Sequence, residues 1–262
     1  MKNFFRKNIF LYLAVIFFTI MCCFYFQIRI DSVTPINGLS ECNISFKDNI
    51  LYILGGIPKL KNVEDRNFKI PFIWITLQLF ILASGYFAPY VKNSIKDEWI
   101  LIKSNSRKHY MICQIRDVFL KVSMIYLCVF LGVMIYTVFY STDFSSIHYN
   151  YFSYICGVKI EKDIGLWIAV FPWIYGIFEA IIQIFLNIYV GRVLAFAFIL
   201  GYNILCVYIT SPFLLGNISM LFRNSLITDN GINITAGLVI GILLSILFTC
   251  ESIRKINYID FL

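Results

Sequence analysis

The sequence predicts an all-α fold, a polytopic membrane protein with six transmembrane helices and both termini on the inner side. Three observations carry that expectation. Of 262 residues, 60% are hydrophobic and only 14% charged, where a soluble domain carries about 25% charged residues. Six long apolar stretches stand out against short polar connections. The basic residues are concentrated in connections that fall on one side once those stretches are threaded through a bilayer. A mean hydropathy of +0.77 agrees. A soluble globule is excluded by this balance, and intrinsic disorder by the 26 Phe, because disordered chains lack large apolar side chains.

A membrane span needs about 20 apolar residues. The stretches lie at about 8–28, 70–91, 122–141, 164–190, 193–210 and 232–250, within one transmembrane domain covering 1–262. They are apolar all round, which distinguishes them from amphipathic surface helices, and lipid excludes open sheets with unsatisfied edge amides. The first follows Lys2, Arg6 and Lys7 and so imitates a signal peptide. Its apolar run exceeds the roughly 7–15 residues of a signal h-region, no A-x-A site follows, and it reads as a retained helix. The second opens at Pro71-Phe72-Ile73-Trp74 and the third leaves the basic segment 92–121. The fourth contains Pro172, which predicts a kink. Only Gly191-Arg192 separates the fourth from the fifth, so those two form an antiparallel pair. The sixth carries Gly237 and Gly241 as a G-x-x-x-G. Small residues four apart let helix backbones approach closely, either across a dimer face or within the chain.

With the N-terminus inside, the inner segments 1–7, 92–121, 191–192 and 251–262 hold 13 of the 22 Lys and Arg; the outer segments 29–69, 142–163 and 211–231 hold 9. The positive-inside rule then gives N-in, C-in, and the net charge of +7 is a matter of membrane orientation, not of nucleic-acid binding. The outer loop 29–69 includes an apolar run from Ile50 to Pro58, too short to span. It reads as an interfacial segment or packing on the helix ends, with a cap over a bound ligand as the functional alternative. Cys42 and Cys156 are the two cysteines in outer loops, either a disulfide or two thiols.

Several chemistries are missing. There is no G-x-x-x-x-G-K-[ST], no H-E-x-x-H and no C-x-x-C, so no P-loop nucleotide site and no zinc site is expected. His109 and His148 fall on opposite sides of the bilayer in this topology. No catalytic residue, metal or cofactor is predicted. Glu179 is the one acidic residue inside a span. A carboxylate there is costly, so it is either protonated or faces the bundle and pairs. Its role is a substrate or proton site, or a structural hydrogen bond, with Gln183 one turn on as the partner.

The inner segment 92–121 mixes apolar and basic residues. Ile95, Trp99 and Ile102 recur at helical spacing beside Lys96, Lys103, Arg107 and Lys108, which predicts a short amphipathic helix on the inner face. Ser104-Asn105-Ser106 breaks it, and a second helix runs on into span three. The helix either docks a cytosolic partner or rests on anionic lipid.

The pattern Pro71-Phe72-Ile73-Trp74, the pair Tyr86 and Tyr90, and the run Ile100-Leu101-Ile102-Lys103-Ser104-Asn105-Ser106-Arg107-Lys108 resemble the permease subunits of ABC-2-type transporters, most closely the small bacterial type associated with peptide or bacteriocin export. Ser211-Pro212, the stretch Gly216 to Asn224 and the tail Arg254 to Asp260 fit the same group. The resemblance implies a separate ATP-binding cassette subunit as partner, a second permease half in a homo- or heterodimer, and a coupling helix between spans two and three. Trp99, Ile102, Lys103, Arg107 and Lys108 then become the coupling candidates. The long outer loop 29–69 departs from the simpler members. A non-transporting immunity or sensory protein remains the alternative function.

The charge distribution makes a direct prediction. Introduced cysteines near Ser104 and at the C-terminus label only from the inner side, and those near Asn62 and Ser146 only from the outer side. Labelling of Ser104 from outside reverses the orientation.

Overall fold

The computed structural model describes residues 2–37, 44–59, 70–86, 107–140, 144, 148–160, 165–228 and 231–258. Among these there is no β-strand; Asn224 and Ile232 form an isolated bridge. The helices in chain order are α1 (Lys2–Asn37), α2 (Phe46–Gly55), α3 (Phe72–Tyr86), α4 (Arg107–Phe139), α5 (Tyr149–Cys156), α6 (Val170–Val190), α7 (Arg192–Tyr208), α8 (Gly216–Ser219) and α9 (Ile234–Tyr258). Short 3-10 turns cover Leu166–Ala169 and Leu221–Arg223.

Four stretches are long and apolar enough to cross a membrane: Asn8–Val33, Lys108–Phe139, Leu166–Val190 and Ile234–Ile256. Two more helices, α3 and α7, are apolar but only 15 and 17 residues long. At 1.5 Å per residue α7 reaches about 25 Å and the described part of α3 about 22 Å, short of the roughly 30 Å of hydrocarbon. The outward faces are greasy. Along α1, Phe10, Leu13, Phe17, Met21, Tyr25 and Ile28 form an exposed stripe at helical spacing, and α9 presents Val239, Ile242, Leu243, Ile246 and Leu247 in the same way. Long apolar helices with such faces point to a membrane-embedded protein.

Some elements begin or end elsewhere than the hydropathy suggests. The first helix continues past residue 28 to Asn37, while α4 runs from Arg107 without interruption into the third apolar stretch, as the sequence pattern after Ser106 predicts. The extension at 29–37 adds polar turns to an apolar rod, and a hydropathy threshold discards them. Pro172 is the third residue of α6 and follows a 3-10 turn. In the first helical turn its missing N–H costs no hydrogen bond, so it starts the helix instead of kinking its middle. The outer run at 50–58 falls mostly within α2, where residues from Asp48 to Gly55 are buried. A capping box explains its start: Ser45 Oγ accepts from the Asp48 N–H, and the Asp48 carboxylate accepts from the Ser45 N–H, satisfying two otherwise orphaned donors.

The centre of the bundle is α4, which packs against α1, α2, α3, α6 and α9. Its closest approach is to α1 at Gly132. A Cβ there would lie 2.8 Å from Thr19 Cβ and 3.1 Å from the Ile16 carbonyl oxygen, so the absent side chain sets the distance between the two helices. Tyr126 donates to the Pro172 carbonyl at 2.7 Å, and Trp173 Nε1 donates to Ser123 Oγ at 3.1 Å, tying α4 to α6.

The connections α1–α3, α4–α6 and α7–α9 meet at one end of the bundle. Asp48 at the start of α2 accepts from His148 twice, from its backbone N–H at 3.0 Å and across a 2.8 Å contact to its Nδ1. Arg29 donates to the Ile155 carbonyl at 3.2 Å. Phe152 and Phe222 meet edge to face. Arg223 joins the third connection to the first. It is completely buried, donating to the carbonyls of Ile57 (3.0 Å), Cys206 (2.6 Å) and Val207 (2.6 Å), and to Asn217 Oδ1. Burial lowers its pKa to about 10, so the guanidinium stays charged at neutral pH. Its acceptors at Cys206 and Val207 are last-turn carbonyls of α7, which have no helical partner of their own and carry the negative end of the helix dipole.

Removing that cation exposes several buried acceptors at once. Arg223→Met is expected to cost at least about 3 kcal/mol, because each orphaned buried carbonyl is penalised. Arg223→Lys should recover only part, since an ammonium cannot spread over the same fork of acceptors. Thermal unfolding in detergent measures both; equal stability of the Met variant and the parent rules the anchor out.

Candidate functional site

The α6 sequence places Tyr175, Glu179, Gln183 and Asn187 at intervals of four, all on the buried face of that helix. Side chains four apart on a helix lie one above another, so these form a polar ladder inside an apolar bundle. Its upper and lower halves do different things.

The lower half caps α3. Gln183 Nε2 donates to the Leu82 carbonyl at 2.9 Å, Asn187 Nδ2 to the Gly85 carbonyl at 3.5 Å, and Lys121 Nζ of α4 to the Ser84 carbonyl at 3.4 Å. All three acceptors lie in α3 close to Tyr86, the last residue described there. Gly85 is required for this contact, because a Cβ there would lie 2.0 Å from Gln183 Oε1. Gln183 is therefore spent on α3 and is not the partner of Glu179.

The upper half is a junction of side chains around Glu179, which is 1% exposed. Asn203 Nδ2 of α7 donates to Glu179 Oε1 at 2.6 Å, and the same Asn203 accepts at Oδ1 from the Tyr175 hydroxyl at 2.5 Å. On the other side stands Gln78 of α3. With its amide oriented to satisfy both neighbours, its nitrogen donates to Glu179 Oε2 at 2.7 Å and its oxygen accepts from Trp74 Nε1 at 3.2 Å. The Trp74 N–H is shared with Ser219 Oγ of α8 at 3.0 Å, and that hydroxyl donates to the Gly216 carbonyl at 2.7 Å. The chain Tyr175–Asn203–Glu179–Gln78–Trp74–Ser219 thus joins α6, α7, α3 and α8. Each carboxyl oxygen has an amide donor, the arrangement that lowers the cost of a carboxylate away from water. Among the described residues its members are one carboxyl, two amides, a phenol, an indole and a serine hydroxyl, which together hold four helices at a fixed junction.

The remaining candidates are dispersed. Arg107 opens α4 and Lys108 is exposed beside it; Trp99, Ile102 and Lys103 lie outside the described residues. Gly237 and Gly241 both face the chain itself. A Cβ on Gly237 would meet Ile218 at 2.7 Å, and one on Gly241 would meet the Phe178 ring at 2.2 Å, so this G-x-x-x-G admits α8 and α6 against α9. Cys156 is half-buried in α5, and Cys42 lies outside the described residues. Asn203, Gln78, Tyr175 and Arg223 carry no motif; the four-residue spacing of polar side chains on α6 was the one available signal for the ladder.

A second feature borders the junction. A cavity of about 710 Å³ lies between α1, α2 and the start of α3, and Trp74, whose ring nitrogen belongs to the junction, forms part of its wall. Arg29 stands at its rim. No family model, curated protein or solved structure matches the chain.

The junction separates two substitutions at one position. Glu179→Gln keeps an acceptor for Asn203, and Gln78 can turn its oxygen to the new amide, so stability should stay close to the parent. Glu179→Leu leaves two amide donors without partners and is expected to cost about 1–3 kcal/mol, read as a lower midpoint of thermal unfolding. Similar losses in both variants would show that the charge, and not the hydrogen bonding, is what matters.

Proposed function

We propose that this chain is the membrane-spanning permease subunit of an ABC-type exporter in a bacterial cell membrane, with ATP hydrolysis on a separate ATP-binding cassette subunit. In this reading all six apolar helices cross the bilayer, N-in and C-in, with α3 and α7 completed by the side chains that cap them. A second permease half, identical or not, completes the pathway, and a peptide or another hydrophobic molecule is the cargo.

The observation that carries the reading is the continuity of α4. Its 33 residues make a rod of about 50 Å, some 20 Å longer than the hydrocarbon. It starts at Arg107, directly after the segment containing Trp99, Ile102 and Lys103, and continues unbroken through the centre of the bundle. Force applied by a partner at that segment would reach α1, α6 and α9 without passing through a loop. The meeting of the odd-numbered connections at one end supports an even up-and-down threading. The resemblance of the residues around Trp74 and Lys103 to ABC-2-type permeases supports the coupling role.

A non-transporting immunity or sensory protein is the second reading, and the interlocked loop-bearing end favours it, because a fixed outer surface suits recognition. The two differ in whether an ATPase is bound. If Trp99 is the aromatic anchor in a groove of the ATPase, Trp99→Ala abolishes co-purification of that subunit while membrane insertion is unchanged, as expected where a few residues hold most binding energy. High salt then does less damage than this one substitution. If the segment merely rests on lipid, the partner stays bound in Trp99→Ala and removing Lys103, Arg107 and Lys108 together matters more. Failure of any ATP-binding subunit to co-purify with the parent chain in mild detergent rejects the exporter.

A further inference from the structure

We propose that the cavity between α1, α2 and the start of α3 is a binding site for one membrane lipid with an anionic headgroup, entering sideways from the leaflet at the loop-bearing end. The cavity measures about 710 Å³, within the roughly 300–1,000 Å³ of ordinary ligand sites. Its α1 wall is Phe18, Met21, Cys22, Tyr25 and Arg29, one helical stripe. From Phe18 to Arg29 the stripe runs about 16 Å along the helix, close to half of a roughly 30 Å hydrocarbon layer. The site is therefore one leaflet long.

Its level and opening agree. Arg29 lies 21 residues beyond Asn8, where the apolar stretch of α1 begins, which sets it about 30 Å along the helix, at the far interface. Phe18 then lies near the bilayer centre. Met21 and Tyr25 are half-exposed on the lipid-facing stripe, and Phe72 on the opposite wall is 72% exposed, so the cavity opens between α1 and α3 towards acyl chains rather than only to water. Among the described lining residues, Arg29 alone carries a formal charge.

Arg29 supplies the charge complementarity. It donates to the Ile155 carbonyl and stands 5.9 Å from the Tyr25 ring centre, contacts that orient the guanidinium without neutralising it. Among the described residues it has no carboxylate partner. The neighbouring Tyr52 phenol is pushed up to about 12, mainly by burial, so it stays neutral. Asp31, two residues on, bonds Gln27 and projects from another side of α1, since two residues turn a helix by about 200°. A cation at one end of a dry, leaflet-length groove matches a phosphate headgroup above an acyl chain.

Electron paramagnetic resonance in proteoliposomes tests this with chain-labelled phosphatidylglycerol and chain-labelled phosphatidylcholine. The full-length protein should restrict the anionic lipid about fivefold more strongly, the weight of one basic residue near such a headgroup. Arg29→Gln should remove that preference and Arg29→Lys keep it. Cys22→Phe, which fills the groove, should reduce the restricted component for both lipids, and added inorganic phosphate should leave it in place. Equal restriction of both lipids by the parent, an unchanged preference in Arg29→Gln, or displacement by free phosphate would overturn the proposal. No restricted component with either lipid would mean that protein fills the groove, and would overturn it as well.

Discussion

Much of the buried polar chemistry of this protein is spent on the backbone carbonyls of two apolar helices, α3 and α7. A helix terminating within an apolar environment leaves its last carbonyls without donors, and hydrocarbon offers none. In α3 the carbonyls of Leu82, Gly85 and Ser84 receive Gln183, Asn187 and Lys121. In α7 they receive Arg223, while Asn217 takes the carbonyls of Ile209 and Ser211 just beyond. Two of these donors are cationic, the sign that the carboxyl end of a helix dipole prefers. Buried charge in this bundle is thus largely a response to backbone geometry.

That arrangement divides the molecule mechanically. At the loop-bearing end, side chains from each connection grip another: His148 holds Asp48, Arg29 holds the Ile155 carbonyl, and Arg223 holds Ile57. Deeper in the bundle, the Glu179 junction fixes α3, α6 and α7 relative to α8. At the other end, α4 starts with exposed polar turns around Lys108 and Arg116.

The helical class and the positions of the apolar helices were legible because lipid permits few architectures and demands long apolar runs. Helix ends were less legible. Polar turns at 29–37 extend an apolar rod and hydropathy averages conceal them, whereas the helix entering the third apolar stretch from Arg107 was readable after the polar Ser104-Asn105-Ser106 of the sequence. Ser45-Phe46-Lys47-Asp48 did carry a readable capping signal for α2. The junction was half visible: Glu179 announced itself as an acid among apolar residues, but its partners Asn203 and Gln78 lie 24 residues after and 101 before it, and no local pattern joins them. Gln183, the nearest polar residue on the same face, was the natural partner by spacing alone. It went to α3 because Gly85 lets that helix come close enough to need it. Arg223 gave no sign either, since a buried arginine bonded to carbonyls has no acidic counterpart to search for.

The one-residue link between α6 and α7 bears on how the chain enters the bilayer. Gly191 adopts φ 91° and ψ 161°, a conformation essentially confined to glycine, and it reverses the chain without a loop. Helix α7 is short and carries Asn203, a poor candidate for partitioning into lipid unaided. Its partners Tyr175 and Glu179 lie on α6, across that same reversal. Asn203 can therefore meet Tyr175 and Glu179 within one hairpin, before either helix packs on the rest of the protein. A bulkier residue at 191 would strain that reversal and draw Asn203 away from the carboxyl it serves.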